Sequence, residues 1–167
     1  MSLRIVRSIV LLLAGISAVA FNHMMSGFSV MFGITLSISA MLTVAYLFVN
    51  FDKAFNPKVI MELIADGFAG IVIFTYPHSG ELFFTIVFAF WIVSMGALYM
   101  SSGIANLNDK DSLPLYLLTG IILIVLGFII INYTSEDMNS VNYLIGFAMI
   151  IYASINNYLY FTKKKEV

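Results

Sequence analysis

The sequence contains no cysteine. That absence removes disulfides, thiolate metal ligands and a cysteine nucleophile together, and it leaves the redox compartment unread. Charge is scarce as well: only 10 % of the 167 residues are Asp, Glu, Lys or Arg, where soluble domains carry ~25 %. Eight basic and nine acidic residues nearly cancel to a formal net charge of -1. No basic field exists to attract nucleic acid, which is excluded as an expected partner. The chain also lacks a P-loop, a Rossmann glycine pattern, a zinc motif and a nucleophile elbow. The expectation is a non-enzymatic protein without metal or cofactor. Apolar side chains, by contrast, make up 61 % of the sequence, well above the ~45–50 % of globular proteins. A water-soluble fold of this size could not cover them.

The apolar residues gather in six runs: Ile5 to Phe21, Phe28 to Val49, Val59 to Tyr76, Leu82 to Met100, Leu115 to Ile131 and Val141 to Phe161. Each has the ~17–25 residues needed to cross a ~30 Å hydrocarbon core as a helix. Short polar breaks rich in turn formers separate them. Arg4, Arg7, Lys53, Lys58, Lys110, Lys163, Lys164 and Lys165 all fall at one set of span ends, and these are all the Lys and Arg of the chain. Short-loop basic residues stay in the cytoplasm, so both termini are expected there. Arg4 and Arg7 ahead of an apolar run, with Ala18-Val19-Ala20 behind it, also imitate a secretory signal.

An internal repeat speaks against cleavage. Segments starting near Arg4, Val59 and Tyr116 overlay with a period of about 55 residues. Gly15-Ile16, Gly70-Ile71 and Gly127-Phe128 then coincide, Asn22 meets Pro77 and Thr134, and His23 meets His78 and Ser135. The expected fold is an all-α polytopic membrane protein, one membrane domain of six transmembrane helices in three parallel tandem hairpins, about 4–50, 58–106 and 113–161. Parallel copies disfavour inverted-repeat transporter designs. The three odd-helix glycines read as close helix packing.

The layout of six short spans, with repeated Gly-Ile or Gly-Phe pairs in the odd helices, resembles the HdeD-like family of small bacterial membrane proteins. The likeness is clearest from Leu113 to Phe161, which opens LPLYLLTGIILIVLGF, and extends to DGFAGIVIFTYP at Asp66 to Pro77. The first copy departs by lacking a proline at its outer turn. The resemblance implies a bacterial plasma (inner) membrane protein with a link to acid or envelope-stress resistance, and it carries over no catalytic residues. Mitochondrial carriers also consist of three tandem hairpins. They close each odd helix with a Pro-x-acidic-x-x-basic motif that this chain lacks.

Glu62 and Asp66 in the third run are the sharpest local feature. An ionisable residue near mid-bilayer costs ~2.5–3.5 kcal/mol on insertion scales. One helical turn apart, the two carboxylates share a face, and Arg7 holds the repeat position of Glu62. They form either a protonatable or ion-binding site of a small transporter or channel, or a structural pair of Arg7 with Glu62 that fixes packing. His23 and His78 at equivalent outer turns would gain charge as an outer compartment acidifies below about pH 6.5. Trp91, Asn156 and Asn157 read as packing and hydrogen-bonding residues. The expected partners are the lipid bilayer and either a second copy of the chain or another membrane protein.

Overall fold

The computed structural model describes residues 3–21, 28–51, 56–76, 81–107, 109, 111–132 and 138–165. They form six helices, α1 (Leu3–Ala20), α2 (Phe28–Val49), α3 (Pro57–Thr75), α4 (Glu81–Ala105), α5 (Leu113–Asn132) and α6 (Met138–Lys165). Inside a bilayer every backbone polar group must find its partner within the protein, and a helix does this along its own length. Local chemistry sets the ends. The Asn56 side chain accepts from the Lys58 amide at 3.0 Å and Pro57 begins α3, the pairing of N-cap and first-turn proline that starts a helix. Hydroxyls within the helices turn back on their own backbone: Thr35 donates to the Met31 carbonyl at 2.8 Å, Thr43 to Ser39 at 3.0 Å and Thr119 to Leu115 at 2.6 Å. Such back-bonding lets polar side chains sit in an apolar span.

Five of the helices are long and apolar enough to cross a membrane by themselves. The remaining one, α3, carries Lys58, Glu62 and Asp66. Glu62 and Asp66 point inward and are buried, while the outward positions of α3 are Met61, Ile64, Phe68, Ile71 and Phe74. Its lipid-facing stripe is therefore as apolar as that of its neighbours, and α3 completes a polytopic bundle.

Each helix packs on the ones before and after it, and α6 returns to α1, so the six close a ring. The most extensive packing is α4 with α5, α2 with α3 and α1 with α6. These pairs join one hairpin to the next, so the hairpins interlock more closely than they fold on themselves. Glycine is the reason. A Cβ on Gly15 would stand 2.8 Å from the Gly146 carbonyl oxygen, one on Gly70 2.7 Å from the Ser37 amide nitrogen, and one on Gly120 2.8 Å from the Gly96 carbonyl oxygen. Backbones this close gain dispersion contacts that longer side chains would forbid. Burial repeats with the sequence: Arg7, Glu62 and Thr119 are buried at matching positions, as are Leu11, Asp66 and Leu123.

Down the middle runs a series of touching aromatic rings. Phe32 lies 4.5 Å from Phe88, Phe88 6.0 Å from Trp91, Trp91 5.8 Å from Tyr152, Tyr152 5.7 Å from Tyr99 and Tyr99 5.9 Å from Tyr116, centroid to centroid. The rings fill the axis of the bundle.

Two glycines provide a test of the packing. Gly15→Ala is expected to lower stability by about 1–3 kcal/mol, because backbone atoms oppose the new methyl. At Gly67 the nearest atom to an added Cβ is 3.9 Å away, so Gly67→Ala should be neutral or gain up to ~1 kcal/mol from helix propensity. Unfolding of the two variants in detergent micelles checks the contrast.

Candidate functional site

The charged groups of α1 and α3 meet inside the ring. Asp66 is 0 % exposed and Arg7 2 %, so each charge must be answered by the protein itself. Arg7 donates to Asp66 Oδ2 from Nη2 at 2.8 Å and from Nε at 3.1 Å. Ser39 of α2 donates to the same oxygen at 2.5 Å, and Arg7 Nε also reaches Ser39 Oγ at 2.9 Å. Trp91 of α4 supplies the other oxygen, its Nε1 donating to Asp66 Oδ1 at 2.8 Å. Four helices thus converge on one carboxylate. Beneath the guanidinium lies the Tyr152 ring of α6, its centroid 5.5 Å from the Arg7 carbon, a cation–π contact strengthened by the absence of water.

Glu62, one turn toward the start of α3, forms the second layer. Its Oε2 accepts from Arg4 Nη2 at 2.7 Å and from Arg7 Nη1 at 3.3 Å. Lys58 Nζ stands 4.0 Å from Oε1. Arg4 rests over the Tyr46 ring at 5.7 Å, and Lys58 over Tyr99 at 4.6 Å and Tyr116 at 5.4 Å. Three cations surround two carboxylates. The cluster carries one positive charge in excess when all five groups are ionised.

Asp66, Glu62 and Arg7, singled out in the sequence, are brought together. The pairing differs in one respect: Arg7 meets Glu62, yet its shorter and double contact is with Asp66. Asp66 lies one turn beyond Glu62 on the same face of α3, and the Arg7 guanidinium spans the two carboxylates. Ser39, Trp91, Tyr152 and Arg4 complete the site and were not picked out. Trp91 does pack in the core, as its residue type suggests, but a buried indole N–H also needs an acceptor, and the only mid-span carboxylate was the one to look for. Arg4 and Lys58 escaped because they read as orientation signals. His23 and His78 lie outside the described residues. Among the described residues, no three His, Asp or Glu side chains gather as a metal site would require.

A cavity of about 1370 Å³ opens at the end of the bundle where α1, α3 and α5 begin. Arg4 and Lys58 line it, whereas Arg7, Glu62 and Asp66 do not. The inner pair is sealed from the space beside it.

A closed ring of apolar helices around a buried ion cluster defines a polytopic membrane protein. Residues 64–132 and 118–167 each match the family described as a short repeat of unknown function (DUF308). Together they span more than half of the sequence, and the chain belongs to that family, which includes HdeD-like membrane proteins. No curated protein and no solved structure matches it.

Breaking the central pair from one side should cost more than removing it. Asp66→Leu and Arg7→Met are each expected to destabilise by about 3–5 kcal/mol, since each strands a buried charge. The double variant should lose clearly less than the sum, a coupling read from equilibrium unfolding of the four proteins in micelles.

Proposed function

We propose that the protein is a non-enzymatic protein of the bacterial plasma membrane, of HdeD-like type, that contributes to acid or envelope-stress tolerance as a rigid bundle. Both termini lie in the cytoplasm. The observation that carries this reading is the saturation of Asp66: four hydrogen bonds from Arg7, Ser39 and Trp91 occupy it, and it does not line the cavity beside the cluster. A transport carboxylate must exchange its partner for a proton or an ion, and access is a precondition for that exchange. The buried aromatic rings support the same view, because they fill the interior between α2, α4, α5 and α6. The stress link comes from the resemblance to HdeD-like proteins, and the eight-to-zero split of basic residues supports the orientation.

Proteoliposomes loaded with a pH-sensitive dye test the reading. Proton flux should equal that of empty vesicles and stay unchanged in Asp66→Asn; flux that vanishes in this variant would instead assign a transport site. A deletion strain should survive acid challenge less well than its parent and recover on complementation, and equal survival removes the stress role. The cysteine-free sequence makes orientation simple to read. A single cysteine at Ser26 should react with an impermeant maleimide added to spheroplasts, and one at Thr162 should react only after lysis.

A further inference from the structure

The groups that answer the buried charges of α3 come mostly from helices that precede it in the chain. Asp66, at the midpoint of α3, accepts two hydrogen bonds from Arg7 of α1, one from Ser39 of α2 and a fourth from Trp91 of α4, which follows it. Glu62 accepts from Arg4 and Arg7, again on α1. Packing runs in the same direction, because α3 lies against α2 far more extensively than against α4. Glycines fit the two together: a Cβ on Gly70 would stand 2.7 Å from the Ser37 amide nitrogen, and one on Gly33 3.0 Å from that of Phe74.

α3 is not among the five helices apolar enough to cross a membrane by themselves, since Lys58, Glu62 and Asp66 all fall within it. On insertion scales one aspartate at mid-span cancels the gain from roughly six Leu, Ile, Val or Phe side chains. The cations of α1 carry no equal burden before α3 arrives. Arg4 and Arg7 sit within the first two turns of their helix, and long basic side chains reach the interface from there. From this arrangement we infer that the α1–α2 hairpin is an intramolecular receptor for the insertion of α3: Arg7 and Ser39 meet Asp66 as the third span enters, and without them the span does not stay in the bilayer. Pairing can drive insertion because a polar group in lipid is stabilised by any partner that satisfies it within the membrane. The inference goes beyond the function proposed above and holds with either face of the protein in the cytoplasm.

Sidedness of the segments flanking α3 tests this in the full, cysteine-free chain. Single cysteines at Ala54 and Ser79, before and after α3 in the sequence, are probed with an impermeant maleimide in intact spheroplasts and after lysis. In the otherwise native chain the two positions should label from opposite faces. Arg7→Leu combined with Ser39→Ala removes three of the four hydrogen bonds to Asp66 and keeps Arg4 as an orientation signal; Ser79 should then shift to the face of Ala54 in most chains. Adding Asp66→Leu to that variant should return it, because α3 no longer needs the receptor. Trp91→Phe, which removes the one donor that follows α3, should keep the native arrangement. Opposite labelling in Arg7→Leu/Ser39→Ala overturns the inference. So does failure of Asp66→Leu to restore it, an equal shift in Trp91→Phe, or labelling from one face in the otherwise native chain. Inversion of the whole chain exchanges both faces and keeps the two positions opposed, so a reversed orientation does not imitate the loss of α3.

Discussion

A carboxylate in the middle of an apolar bundle cannot rely on solvent, and most of this structure is arranged around meeting that requirement at Asp66. Arg7 neutralises its charge, while Ser39 and Trp91 fill the remaining acceptor positions. Because the donors belong to α1, α2 and α4, and Tyr152 of α6 supports the guanidinium from below, satisfying one residue of α3 places four other helices. A polar interaction of this kind contributes less to net stability than its Coulomb energy suggests. It does specify: a different rotation of any contributing helix would strand a buried charge, whereas apolar side chains slide past one another at little cost.

Glycine contacts provide the complementary constraint. The ion cluster orients the helices about the axis, and the glycine faces of α1, α3 and α5 decide which neighbour each approaches. Gly15 seats on α6 and Gly70 on α2, and Gly120 seats on α4. In every case the odd helix leans on the even helix of the adjacent copy. That direction of packing turns three hairpins into a ring, since the last even helix finds the first odd helix still uncovered.

Much of this was legible in the residues. The number of helices follows from run length, because a bilayer imposes one thickness on all spans, although α4 and α6 continue past their apolar runs to Ala105 and Lys165. The repeat register placed Arg7 at the depth of Glu62, and an equal-depth cation and anion in one bundle must meet or remain unpaired. Ser39 and Trp91 were not legible in the same way. Repeat position does not single them out: Ser39 matches Ser94, which lines the cavity, and Ile151, and Trp91 matches Leu36 and Ala148. Their role depends on how far each even helix is rotated, which three-dimensional packing sets and a linear pattern does not contain. The apolar threshold that leaves out α3 shows the same limit from the other side. Average composition counts charges without knowing which face they occupy.

The first helix illustrates what the cluster adds to sequence reasoning. Arg4, Arg7 and the Ala18-Val19-Ala20 stretch resemble a secretion signal, and composition alone cannot tell a signal from a span. Inside the ring the same residues have different work. Arg7 supplies two of the four hydrogen bonds to Asp66, and Arg4 supplies the shortest to Glu62. Without α1, two buried carboxylates would be left with Lys58 as their nearest described cation, and the Gly146 face of α6 would lie bare. The charge distribution of α3 therefore complements that of α1, and the ion pairs tie the first helix into the wall of the bundle.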